Sequence, residues 1–121
     1  MTDLLWSDPL EEDSGHGLDA AELAEWHAVE FVHPNPTRGV GHVFGFAATQ
    51  RFLQDNGLVA IIRAHETAKQ GYVENYMNQP RSSRALPYVI TLFSAPNYCG
   101  CYDNLGATLT CAPSRSLPRA H

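Results

Sequence analysis

Two short apolar runs, Leu58-Val59-Ala60-Ile61-Ile62 and Tyr88-Val89-Ile90-Thr91-Leu92-Phe93, constrain this chain more than any other feature of its sequence. Each is continuous rather than alternating and is rich in β-branched residues, the pattern of a strand buried on both faces. Strands of that kind need neighbours and cover, so a mixed helix-and-sheet domain, α/β (α+β), is expected. Both runs end in polar residues: Arg63-Ala64-His65-Glu66 after the first, Ser94-Ala95-Pro96-Asn97-Tyr98 after the second. Open α/β architectures place ligand sites at such strand ends. On spacing alone His65 still reads as a hydrogen-bonded structural residue, because no second His or carboxylate stands near it at metal-ligand spacing.

The remaining segments are assigned around these strands. Phe46 to Asn56 places Ala48, Phe52 and Leu53 at helical spacing, and Asn56-Gly57 supplies a left-handed stop. Residues 3–7, with Leu4-Leu5-Trp6, read as a short buried strand ended by Asp8-Pro9, where proline halts ladder pairing. Residues 10–37 read as a surface excursion, acidic at its start and closed by His33-Pro34-Asn35-Pro36. Inside it, Asp19 with Glu22 three positions on signals a capped helix through Trp26. Further strands are expected at residues 71–76 and 106–110, and a polar, basic loop at 78–85. One domain thus covers residues 1–110, followed by a frayed tail over 111–121, with Trp6, Phe44, Phe52 and Phe93 assigned to the core.

Composition bounds the function. A 44% hydrophobic share over 121 residues supports one modest core. Thirteen acidic against eight basic residues give a net charge of -5, with no dense Lys/Arg stretch, which argues against a nucleic-acid partner. No apolar run approaches the roughly 20 residues of a membrane helix, and no basic segment leads an apolar one at the start. An intracellular protein of the cytoplasm, with the nucleus as the alternative, is expected. Cys99, Cys101 and Cys111 are odd in number, and their C-x-C spacing is not the C-x2-C of structural zinc, so free thiols are expected.

Taken in order, four blocks resemble the second half of the catalytic domain of the phosphoprotein phosphatase family, the metal-dependent Ser/Thr phosphatases. They are Leu4-Leu5-Trp6-Ser7-Asp8-Pro9; Thr37-Arg38-Gly39-Val40 with Phe44-Gly45; Arg63-Ala64-His65-Glu66 with Gly71-Tyr72; and Leu92-Phe93-Ser94-Ala95-Pro96-Asn97-Tyr98. The resemblance covers residues 3–110. Asp8-Pro9-Leu10-Glu11, Phe52-Leu53-Gln54-Asp55-Asn56 and the loop before Pro87 are similar to the calcineurin branch, from which Cys99-Gly100 departs.

This resemblance implies a metallophosphoesterase-type β-sandwich flanked by helices, of which the chain would be the C-terminal half. It also implies hydrolysis of phosphoserine and phosphothreonine in phosphoprotein substrates at a centre of two metal ions, Mn, Fe or Zn. His65 would be a metal ligand, Arg38 would clamp a phosphate oxygen, Tyr98 would border the phosphate pocket, and Asp8 would support the site. Such roles suit phosphoryl transfer, which is catalysed by positioning and by neutralising charge, and a planar guanidinium fits phosphate better than an ammonium does. The residues alone leave plainer readings open: Arg38 as a solvated turn residue, Tyr98 as core packing, Asp8 as a turn former before proline. His16, His27, His33 and His42 match no ligand position. The family's Gly-Asp-x-His-Gly, Gly-Asp-x-x-Asp-Arg-Gly and Gly-Asn-His-Glu blocks, which carry most of its metal ligands, do not occur here. One recognisable ligand cannot hold two metals, so the chain alone is expected to be inactive, with sheet faces and edges uncovered. A calcineurin-B-like or calmodulin-like regulatory subunit is the implied partner. A non-enzymatic interaction module derived from such a phosphatase is the alternative, and small phosphate esters are a third substrate reading.

Overall fold

The computed structural model describes residues 1–11, 18–30, 32–76 and 86–112. The expected basic loop at 78–85, residues 113–121 of the tail, and His16 lie outside them. The elements run α1 (Thr2–Trp6), β1 (Asp8–Pro9), α2 (Ala20–Ala28), β2 (Val32–Pro34), β3 (His42–Phe44), α3 (Phe46–Asp55), β4 (Ile61–Arg63), β5 (Tyr72–Asn75), β6 (Val89–Leu92) and a short 3-10 turn at Tyr98–Gly100. They form two three-stranded sheets, ordered β1-β3-β2 and β4-β6-β5. Each sheet repeats one plan, a central strand with a parallel neighbour on one side and an antiparallel one on the other. The result is the mixed α/β (α+β) arrangement that the sequence implies.

Helices α2 and α3 form where their local signals are complete. Asp19 accepts hydrogen bonds from the amides of Ala21 and Glu22, and the Glu22 carboxylate accepts one from the Asp19 amide, a reciprocal capping box. At the other end of α3, Gly57 takes φ +62 and the Leu58 amide donates to Leu53 O at 2.9 Å, closing the last turn.

Four expectations are corrected. Thr2–Trp6 is a helical turn rather than a strand, and none of its residues is buried. A strand needs a neighbour for its amides, whereas a helical turn satisfies them locally, here through Ser7 N donating to Asp3 O at 3.1 Å. Asp8-Pro9 does not halt pairing; it pairs with β3, in register Asp8 to Val43 and Pro9 to Phe44. As an edge strand, β1 tolerates a residue without an amide hydrogen. The run Leu58–Ile62 gives a strand only at Ile61–Arg63, with Val59 62% and Ile62 53% exposed. Its first residue closes α3, and β4 pairs with β6 alone among the described residues. Residues 106–110 form no strand, although Ala107 N donates to Phe93 O at 3.0 Å.

The core gathers Leu53, Tyr76, Tyr88 and Val89, with Phe44, Phe46 and Ile61 packed against them. Tyr76 joins the two sheets: at the end of β5, its hydroxyl donates to Phe44 O of β3 at 2.6 Å and accepts from the Leu10 amide at 3.1 Å. Trp6 and Phe52, assigned to the core from sequence, are partly exposed, and Phe93 packs on the Tyr98 ring at a centroid distance of 5.2 Å. Phe52 and Leu4 instead line an apolar cavity of about 500 Å³ with Ile61 and Arg63. Among the described residues no helix is long and apolar enough to cross a membrane.

Candidate functional site

Asp8 is the anchor of the site. Its position in β1 buries it to 4% exposure, and a carboxylate there demands partners. It has three. Arg63 Nη2 donates to Oδ1 at 2.8 Å, Asn35 Nδ2 donates to Oδ2 at 2.8 Å, and Arg38 donates through Nε to Oδ2 and through Nη2 to Oδ1 at 3.2 Å. Two guanidiniums thus share one carboxylate, drawing β1, β4 and the turn before β3 together.

That turn is built by Asn35, 2% exposed, whose side-chain oxygen accepts from the amides of Thr37 and Arg38, both at 3.1 Å. Asn35 therefore shapes the loop that carries Arg38 and ties the same loop to Asp8. Gly41, which closes it at φ +72, could not be replaced: a Cβ there would meet Trp6 O at 2.4 Å.

Arg38 next reaches His65, since Nη2 also donates to His65 O at 3.1 Å. The His65 backbone is left-handed at φ 82, a conformation that non-glycine residues rarely adopt and that concentrates at functional sites. Its Nδ1 lies 2.5 Å from Leu5 O, so Nδ1 carries the proton and Nε2 is the nitrogen with a free lone pair. The Trp6 ring stands beside both groups, 4.6 Å from the His65 ring and 5.7 Å from the Arg38 guanidinium carbon. The hydrogen bond to Asp8 holds Arg38 protonated still more firmly than usual. One edge of its fork is engaged by Asp8, and Nη1 makes no hydrogen bond among the described residues.

Asp8, Arg38 and His65, expected from sequence to act together, are therefore brought together. Tyr98 lies in the turn after β6 and takes part in none of these hydrogen bonds. It is 44% exposed, and its ring packs against Phe93 and, at 5.8 Å, Tyr102. Sequence reasoning gave no role to Arg63, Asn35 or Trp6. The signal for Arg63 was available, because a charged residue ending an apolar run has to find a carboxylate when its strand is covered.

Arg63 also donates to Glu66, to Thr91 Oγ1 at 3.2 Å and to Ser7 O at 3.2 Å. Burial raises the Glu66 carboxyl above its ordinary 4.5 despite the opposing pull of Arg63, with Asp8 and Glu11 adding like-charge repulsion. A raised folded-state value means that the contribution of Glu66 is fully present below 4.5 and is lost as pH rises through the folded value. Glu66→Gln should remove this loss, flattening the acid side of the stability–pH curve above 4.5 in urea titrations. An unchanged slope would show that Glu66 ionises freely.

The donor set does not by itself suit a metal ion. Both Asp8 oxygens are taken by Arg38, Arg63 and Asn35, and His65 offers one nitrogen. Among the described residues no group of three or more His, Cys, Asp or Glu side chains is placed to hold a metal.

Comparison with known proteins adds to this geometry. The sequence profile of the calcineurin-like phosphoesterases matches residues 1–69, more than half of the chain. The chain is 42% and 37% identical to "Serine/threonine-protein phosphatase 2B catalytic subunit A1" and "A2" of Saccharomyces cerevisiae, in each case over 90% of its length. It is 38% identical to "Serine/threonine-protein phosphatase T" of Schizosaccharomyces pombe over 90% of its length. It spans only 17–20% of these relatives. A solved structure of a protein serine/threonine phosphatase from Saccharomyces cerevisiae, described as similar to human phosphatase PP5, superposes with a TM-score of 0.56 at 33% identity. That match covers 85% of this chain and 24% of the other.

Proposed function

This chain belongs to the calcineurin-like phosphoesterase family, and on that premise we propose that it supplies the phosphate-binding side of a protein Ser/Thr phosphatase site. The observation that carries the reading is the Asp8–Arg38–His65 cluster, assembled from three segments far apart in sequence. Asp8 fixes the orientation of Arg38, and the remaining N–H groups at Nη1 face a phosphate oxygen of a phosphoserine or phosphothreonine side chain. Arg38 stabilises that anion by charge-assisted hydrogen bonding. His65 presents one imidazole nitrogen to the same space. The two-ion centre of Mn, Fe or Zn that the family resemblance implies would take this single donor from the described residues and its other donors from groups they do not include. Tyr98, in the turn after β6, would border the same pocket.

Hydrolysis accordingly requires more than this chain supplies, and we propose that it is inactive alone. The purified chain, given manganese or iron, should dephosphorylate a phosphoserine peptide no faster than a His65→Ala control, while still binding it weakly. Arg38→Ala should weaken that binding about 10–100-fold in a calorimetric titration, the value of one charge-assisted hydrogen bond, and Arg38→Lys should restore only part of it. Equal binding by wild type and Arg38→Ala would overturn the assignment, and turnover above the His65→Ala control would overturn the proposed inactivity. The relatives' names support phosphoproteins as the proposed substrates, and a calcineurin-B-like or calmodulin-like subunit is the corresponding regulatory proposal.

A further inference from the structure

Cys99 and Cys101 flank Gly100 in the turn after β6, and the phosphatase reading gives them no role. Both are free and exposed. The turn that holds them is strained: Asn97 takes φ 44, Cys99 φ 54 and ψ 14, and Gly100 φ 70. Asparagine and glycine visit this region readily, but a cysteine rarely does, and such outliers concentrate where function requires them. The frame that enforces the strain contains no sulfur. Gly100 N donates to Asn97 O at 2.8 Å, Tyr102 N donates to Tyr98 O at 3.2 Å, and Asn104 clamps the base by accepting from Asn97 N and Tyr98 N. The Asn104 amide in turn donates to Ala95 O at 2.8 Å.

We propose that Cys99 and Cys101 form a dithiol site that a peroxide oxidises reversibly to an intramolecular disulfide across Gly100. A turn at the residue between two cysteines brings their Cα atoms closer than the ~6.6–7.2 Å of extended chain, within the roughly 4.4–6.8 Å that disulfides span. Gly100 suits the small ring, since its φ of +70 is one that glycine adopts without strain. The step balances as follows. One thiolate attacks a peroxide oxygen, the O–O bond breaks, and a sulfenic acid and one water form; the second thiol then attacks that sulfur, forming the S–S bond and releasing a second water. Two thiols lose two electrons in all, and hydrogen peroxide gains them. A ring this small is easily reopened, because strained disulfides are the labile ones.

The test uses the full chain carrying Cys111→Ser, so that only the pair can react. Stoichiometric hydrogen peroxide should remove both titratable thiols, lower the intact mass by about 2 Da, leave the chain monomeric on a non-reducing gel, and be reversed by dithiothreitol. Adding Cys101→Ser should instead leave a sulfenic acid at Cys99 that dimedone traps. Cross-linking should be at least about tenfold slower in strong urea, because the folded turn holds the two sulfurs in register. Disulfide-linked dimers, stepwise oxygen addition without the two-hydrogen loss, or equal rates with and without urea would each overturn the proposal.

Discussion

Asp8→Ala is expected to lower the unfolding free energy by about 3–5 kcal/mol, the cost of breaking a buried ion pair from one side. The side chain is 5% exposed and is shared by Arg63 and Arg38, which are 12% and 22% exposed. Removing it leaves two guanidiniums with Glu66 as their one remaining carboxylate among the described residues, and it also frees the amide of Asn35, which shapes the Arg38 turn. A single domain is typically stable by only about 5–15 kcal/mol, so the variant should unfold at far lower urea. Asp8→Asn keeps the volume but not the charge and should fall in between. The exposed pair Arg51–Asp55, about half exposed on both sides, provides the contrast. Asp55→Ala should cost no more than about 0.5 kcal/mol. If both alanine variants shift the urea midpoint equally, Asp8 is not the anchor of the site.

What could be read from the sequence divides along the range of the interactions. Helices α2 and α3 were legible because their signals, Asp19 with Glu22 and Asn56-Gly57, lie within a few residues of the ends they define. Strands β5 and β6 were legible for a similar reason, since β-prone runs bounded by glycine or proline leave little choice. The exposure of Val59 and Ile62 was not legible. An apolar run states that a strand would be stable if covered, but cover is a tertiary fact. Leu4-Leu5-Trp6 failed in the same way: a strand reading presumed a neighbour, and a helical turn formed in its place. The Arg38, His65 and Asp8 cluster was legible only through the resemblance of whole blocks. Arg63 showed by its place at the end of an apolar run that it needed a carboxylate, but which one was not legible, because Asp8 lies 55 residues away. Trp6 was missed because a large aromatic is assigned to the core by default, whereas here it flanks a histidine and an arginine.

The second large effect is expected at Tyr76, which joins the sheets by both its ring and its hydroxyl. It is 2% exposed, packs edge-on to Phe46 and sits in the cluster with Leu53, Tyr88 and Val89. Tyr76→Ala should therefore cost about 3–5 kcal/mol, as expected for truncating a buried aromatic. Tyr76→Phe separates the hydroxyl from the ring. The Leu10 amide keeps a second acceptor in Phe44 O at 2.9 Å, so the deletion leaves it partnered. The loss should then lie near 1 kcal/mol, the net value of an ordinary hydrogen bond. The pH dependence supplies an independent readout. Burial raises the Tyr76 hydroxyl well above its ordinary 10.0, so its contribution is fully present below 10.0 and is lost as pH rises toward the folded value. The loss arises because the unfolded tyrosine ionises while the folded one stays neutral. Tyr76→Phe should fall less steeply than wild type in urea titrations above pH 10.0, so that the two stabilities converge as the pH increases. Parallel curves would mean that the hydroxyl ionises as easily in the folded chain as in the unfolded one, and that the bridge between the sheets rests on the ring alone.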